Sequence, residues 1–288
     1  MSKWWDVNWP VLEGCSKVSA GCKNCFAERY VNRFRKSVPA FEGLLKDGHW
    51  TGRVNMRPDK LDMPLTIKKP TRFFVAERSD LFHESVPADY VDKIFKIISQ
   101  CPQHTFFILT KRPDRMKDYL AREADVAWTP YPNIILGVSV EDQKTADERI
   151  PLLLQIPAAK RFVSYEPALR AIKFNGYWLK SINQIIMGGE SGPGARPLHP
   201  DWARSVRNQC HAAGIPFFFK QWGEWAPTSQ VGGGKITHAM TIDGIVAPFN
   251  KEAMIEADSK TLKWEGLRRL GKHAAGCLID GVLHKELP

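Results

Sequence analysis

Cys15, Cys22 and Cys25 stand in the stretch "GCSKVSAGCKNCFAERYVNRF" at the spacing C-x6-C-x2-C, directly ahead of a helix-like run. In a reducing compartment such a cluster suits metal or cluster ligation better than disulfides. A structural zinc site takes four closed ligands, yet no second C-x2-C exists and the nearest histidine, His49, lies in a separate polar segment. A catalytic zinc keeps one position open but usually draws on histidine. A nucleophilic cysteine needs a base beside it and does not account for three thiols. A [4Fe–4S] cluster normally takes four thiolates, so three leave one iron open to a substrate or cofactor. The remaining Cys101, Cys210 and Cys277 are scattered at apolar-looking positions and read as ordinary buried thiols.

An open iron is what radical S-adenosylmethionine (SAM) enzymes use to chelate the methionyl group of SAM. Their usual spacing is C-x3-C-x2-C, and the longer first gap here requires a different loop path. Their Gly-Gly-Glu element follows the second strand, whereas the "GGE" of residues 188–190 follows a late one.

The elements that must position these groups appear past residue 70. "RFFVAE", "TFFILT", "NIILGVSV", "RFVSYE", "INQIIMGG" and "PFFFKQW" are continuous apolar runs that read as strands. Amphipathic stretches such as "PADYVDKIFKIISQ", "RPDRMKDYLARE", "EDQKTADERIPLLLQI" and "HPDWARSVRNQCHAAG" lie between them and read as helices. Buried strands alternating with helices predict an α/β fold with a parallel sheet, a complete or partial (β/α) barrel, with another strand near the cysteine region. An open doubly wound sheet is the runner-up, although no glycine-rich dinucleotide fingerprint follows any strand. Residues 37–70 read as an insertion and 226–288 as a C-terminal appendage, "TIDGIVAPF" being a hairpin within it, so the barrel domain is expected over 1–225.

In a barrel, chemistry belongs at the C-terminal ends of the strands. Those ends are polar here: Asp80 and His83, Lys111, Ser139 and Glu141, Glu166, Gly188-Gly189-Glu190, and Lys220-Gln221. Helix capping accounts for some of them, with Ser79, Asp80 and Asp142 as candidates. It does not account for Lys220-Gln221 directly after three phenylalanines. The two glycines would let a ligand approach the backbone closely.

The formal net charge of +10 suits a phosphate-bearing partner, or simply a soluble basic surface. The N-terminal "MSKWWDVNWP" lacks the apolar core of a signal peptide, and no charge-free apolar run is long enough to cross a bilayer, which predicts a cytoplasmic protein.

Taken in order, "GCSKVSAGCKNCFAERY", "SDLFHE", "GVSVED", "GGESGPGARPLHPDW" and "FFFKQWGEW" resemble a family of phage and bacterial three-cysteine-motif proteins of unknown function, regarded as radical-SAM-like barrels. The resemblance runs from about residue 8 to 225. It implies a [4Fe–4S] cluster on Cys15, Cys22 and Cys25, with SAM as cosubstrate and an external electron donor. On that basis Glu190, beside Gly188 and Gly189, is the candidate for the SAM ammonium, and Ser139 or Glu141 for the ribose hydroxyls. Lys111, Lys220 and Gln221 are placed to receive an anionic part of the substrate, with Glu166 a further catalytic candidate. The implied activity is modification of a nucleobase in phage DNA or of a nucleotide. One form is isomerisation of an amino-acid substituent on a hypermodified thymidine. A radical repair lyase and a non-catalytic, zinc-stabilised nucleic-acid-binding protein are the alternatives.

Overall fold

The structure, a computed structural model, describes residues 3–122, 130–250 and 264–288. The sequence also carries a basic run, "KTLKWEGLRRLGK" at residues 260–272, part of which lies outside the described residues. The chain divides into two compact units, one of Trp5–Ser139 with Glu148–Phe162, the other of Met1–Trp4, Val140–Asp147 and Val163–Pro288.

In the first unit, strand β1 (Val7–Trp9) is followed by β2 (Leu12–Glu13), the cysteine loop and helix α1 (Phe26–Phe34). Residues 37–70 hold short elements: β3 (Leu45–Lys46) and β4 (His49–Trp50) form a hairpin, and β5 (Asn55–Met56) pairs with β2. Strand β6 (Arg72–Val75), helix α2 (Ala88–Ser99), strand β7 (Thr105–Thr110), helix α3 (Pro113–Arg122) and strand β8 (Ile134–Ser139) then alternate. Strands β1, β6, β7 and β8 pair in parallel in that order. Their apolar runs are buried because helices cover a parallel sheet, leaving no wet face. Phe73 stacks on Phe106 with centroids 5.3 Å apart, and Trp9 packs on both. Gly137 in β8 is needed for space, since a Cβ there would lie 2.3 Å from the ring of Phe162.

Helix α4 (Gln143–Gln155) and strand β9 (Lys160–Tyr165) carry the chain on. The second unit adds the single-turn helix α5 (Gly176–Leu179), strand β10 (Gln184–Gly188), helix α6 (Pro200–Ala213) and strand β11 (Phe217–Gln221). Strands β10 and β11 are parallel. The appendage forms a separate antiparallel sheet in the order β12 (Trp225–Pro227), β15 (Trp264–Arg269), β13 (His238–Thr241), β14 (Val246–Pro248). The expected hairpin is the β13–β14 pair.

Seven parallel strands are thus hydrogen-bonded in the order β1-β6-β7-β8-β9-β10-β11. Sequential order with helices in the crossovers is the winding of a (β/α) barrel, and an order that ends at β1 and β11 makes it a partial one. The seventh strand is β1, just ahead of the cysteines. No described helix is long and apolar enough to cross a membrane.

Candidate active site

The cysteine loop is anchored at its start. Buried Glu13 forms an ion pair with Arg78 from the loop after β6, and Ser79 donates its hydroxyl to the carbonyl of Gly14. Gly14 has φ +95, and a Cβ there would meet the carbonyl oxygen of Arg53 at 2.4 Å, so only glycine fits. Cys22 closes a 3-10 turn, Ala20–Cys22, and Cys25 is the N-cap of α1. A helix N-terminus favours a thiolate. All three cysteines are unlinked and partly buried.

Their electrostatics differ. Burial pushes the Cys15 thiol up to about 12, aided by Asp80 and opposed by Arg112, whose Nη1 lies 3.9 Å from the sulfur. Charge on Cys25 raises it further. Burial also disfavours the Cys22 thiolate, but the Lys111 ammonium and the N–H groups of Val18 and Ser19 outweigh it and hold the thiol below its ordinary value. Lys111, expected to receive an anionic part of the substrate, exerts its field on a cysteine.

Around Cys15 the ends of β6 and β7 build a buried polar network. Arg112 reaches Asp80 (3.1 Å), Glu84 (3.1 Å) and the hydroxyl of Ser16 (2.6 Å). Asp80 also accepts from Thr110 (2.7 Å) and from the backbone N–H of Phe82 and Lys111. It therefore braces its own loop rather than capping the next helix, whose N-cap is Pro87, and pairs a buried cation as well. His83 is buried; its Nδ1 accepts from the Ser85 N–H (3.1 Å), which leaves the ring proton on Nε2 to reach Ser16 Oγ at 2.9 Å. Burial first, then Arg112, holds the His83 imidazole below its usual range, so it is neutral at pH 7.

In the second unit Lys220 Nζ lies 3.0 Å from Glu166 Oε1, and Ser164 donates to Glu166 Oε2 at 3.2 Å. These two candidates are brought together as an ion pair. Gln221 is turned back on the fold, its side-chain amide donating to the carbonyl of Gly189 (3.3 Å). Lys285 hydrogen-bonds the Phe219 and Lys220 carbonyls. Burial lowers its pKa, while Cys277 and Glu166 oppose the shift. Cys277 is thus half-buried beside a lysine, unlike Cys101 and Cys210, which are buried as expected.

The glycines meet protein where a ligand was expected. A Cβ on Gly189 would lie 1.9 Å from the carbonyl oxygen of Trp222, and one on Gly188 would lie 2.8 Å from Glu166 Oε1. They let the Trp222–Gly223 backbone and the Glu166–Lys220 pair close in. Glu190, expected to hold an ammonium, binds Arg196 through both oxygens at 2.7 and 2.9 Å and also accepts the Arg196 backbone N–H. It closes the loop "GGESGPGAR" on itself. Ser139 is buried and its carbonyl accepts from Arg149 (2.7 Å); Glu141 is fully buried, and its backbone meets Thr145 and Leu169.

Arg112, Ser16, Glu84 and Arg196 received no role from the sequence. Arg196 was in view inside its motif, six residues from Glu190. The partners of Arg112 lie 28 to 97 residues away, beyond any local pattern.

A family model described as "Protein of unknown function (DUF5131)" matches residues 2–288. No curated protein matches. Among solved structures, a cysteine-to-serine mutant of spore photoproduct lyase is similar at 12% identity over 88% of this chain and 71% of that one, with TM-score 0.38. Spore photoproduct lyase complexed with dinucleoside spore photoproduct matches at 11% identity over 88% and 72%, with TM-score 0.36. A doubly substituted form with bound AdoMet and dinucleoside spore photoproduct matches at 12% over 88% and 72%, with TM-score 0.38.

Proposed function

This chain belongs to the DUF5131 family, and we propose that it is a radical SAM iron–sulfur enzyme acting on a nucleobase in DNA or on a nucleotide. The observation that carries the proposal is the trio of unlinked cysteines on one anchored loop, with Lys111 and Arg112 supplying positive charge beside two of the sulfurs. That donor set fits a [4Fe–4S] cluster: the ligands are thiolates alone, three in number, and cations offset the negative charge they bring. Cys15, Cys22 and Cys25 would hold the cluster. When bound, it would supply one electron to the sulfonium of SAM and so a carbon radical that takes hydrogen from the substrate.

The chain's own groups have assignable tasks. Arg112 fixes the Cys15 end of the loop by gripping Ser16 and Asp80 together. Neutral His83 and Ser16 complete that grip without adding charge. The Glu166–Lys220 pair offers a cation and an anion, reaching across the end of β10 from β9 and β11, for the polar part of a substrate. Glu190 positions its loop through Arg196. We assign the substrate to phage DNA on the net charge of +10 and the motif resemblance, and the reaction to isomerisation of an amino-acid substituent on a hypermodified thymidine. A repair lyase would use the same groups and differ in breaking a bond outright.

The test is anaerobic reconstitution of the full chain, counting iron and acid-labile sulfide. Cys15→Ala, Cys22→Ala or Cys25→Ala should each abolish cluster loading, while Cys101→Ala should keep it. A colourless zinc protein, or full iron occupancy in Cys22→Ala, would overturn the assignment.

A further inference from the structure

The C-terminal residues return to the edge of the parallel sheet. Phe219 N–H donates to the His284 carbonyl (3.0 Å), Glu286 N–H to the Phe217 carbonyl (3.3 Å), and Lys285 bridges Phe218 antiparallel. Successive side chains of an extended segment point to opposite faces, so His284 and Glu286 share one side and Lys285 takes the other. His211, in the last turn of α6, meets that shared side. His211 Nε2 lies 3.7 Å from Glu286 Oε1, His284 Nδ1 lies 3.9 Å from the same oxygen, and the two imidazole centroids are 5.7 Å apart. One donor atom from each residue falls within 4.8 Å of the other two.

We propose that His211, His284 and Glu286 form a site for a first-row divalent cation, best suited to Zn²⁺, that fastens the C-terminal segment to helix α6. Two imidazoles and one carboxylate are a zinc donor set with a position left for water. Tetrahedral bonds of about 2.0–2.1 Å put neighbouring ligand atoms roughly 3.3 Å apart, so the two gaps to Glu286 Oε1 close by only about half an ångström and the gap between the imidazole nitrogens, at most 4.8 Å, closes with them. At these distances Glu286 meets the two imidazoles in long ion-pair contacts rather than tight hydrogen bonds, which leaves room for a cation to draw them together. His284 is 6% exposed and turns its Nδ1 toward Glu286 Oε1. Glu286 is already aimed: its Oε2 accepts the Phe217 N–H at 3.0 Å, leaving Oε1 toward the imidazoles. The C-terminal end of α6 carries partial negative charge, which favours a cation there. Arg207 also faces His284, but its charge is engaged by Asp280 at 3.0 Å. His211 is exposed, which gives an ion a way in.

The site's place indicates its task. Phe217 is the first residue of β11, so the cluster sits at the opposite end of that strand from Gln221. The N-terminal face of a (β/α) barrel serves stability, and catalysis belongs to the other. The cation would act as a staple that keeps the segment 284–286 on the exposed edge of β11.

The test is a Co²⁺ titration of the chelator-treated full chain, followed by visible absorption. Cobalt on Cys15, Cys22 and Cys25 shows thiolate charge transfer in the near ultraviolet, whereas cobalt on nitrogen and oxygen shows ligand-field bands alone. One thiolate-free Co²⁺ per chain is expected, and it should persist in a chain lacking the three clustered cysteines, so the result is separable from the iron–sulfur assignment. His211→Ala and Glu286→Gln should weaken it by more than the ~10–100-fold that outer-shell partners are worth. Added Zn²⁺ should raise the Tm of the wild type and leave that of His211→Ala unmoved. If Glu286→Gln fails to fold, His211→Ala carries the test, because its side chain is exposed. Cobalt bound only with thiolate charge transfer, or affinity unchanged in His211→Ala, would overturn the proposal.

Discussion

One guanidinium, that of Arg112, joins the ends of two strands to the cysteine loop. It is 6% exposed and meets Asp80, Glu84, Ser16 and the Cys15 sulfur. Removing one partner of a buried ion pair costs about 3–5 kcal/mol, because the other charge is left uncompensated. Arg112→Met should therefore lower the free energy of unfolding by about 3 kcal/mol, measured by urea denaturation, since backbone donors still serve Asp80. Arg112→Lys should recover only part of the loss, as an ammonium lacks the planar fork that reaches three acceptors at once. A neutral effect of Arg112→Met would show that the network does not hold the loop. The cysteines were legible because their spacing is local. Arg112 was visible at a strand end, but its partners come from distant segments. For Glu190 the reverse holds: its chemistry was recognised, and the arginine six residues on that pairs with it was overlooked.

At the scale of elements, continuous apolar runs located six strands, because burial on both faces removes alternation. Strand β1 was expected only loosely, since "VNW" is too short to show a pattern. Gly188 and Gly189 show what such reading lacks, because a glycine's sequence does not say whether ligand or backbone fills the space beside it. Helix α6 carries a testable device at its start. His199 is its N-cap, with Nδ1 accepting the Asp201 N–H at 3.2 Å. Burial lowers the His199 pKa from 6.5 to about 4, with Asp201 opposing and Arg204 assisting. The folded state thus binds the proton less readily than the unfolded chain. Stability from this residue is fully present above pH 6.5 and is lost as the pH falls toward about 4, by a total of order 3 kcal/mol. His199→Asn, which keeps a capping acceptor, should flatten that part of the pH dependence when Tm is followed from neutral to acid pH. An unchanged slope would mean that His199 is solvated well enough to titrate normally.

For the whole molecule, the net charge of +10 was legible, but its distribution was not. Arg72, at the end of a stretch rich in lysine and arginine over residues 36–72, is held by Asp6 at 2.7 and 3.1 Å, so it brings little net charge to that surface. The return of residues 284–286 to β11 was equally hidden, because nothing local in "LHKELP" names a partner 65 to 69 residues earlier. The radical SAM assignment is reached most directly by one measurement. The reconstituted chain is reduced anaerobically with SAM, and 5′-deoxyadenosine is quantified by chromatography, with and without DNA. The wild type should form it, and Cys15→Ala, Cys22→Ala and Cys25→Ala should form none. A fully clustered wild type that makes no 5′-deoxyadenosine under any of these conditions would contradict the assignment.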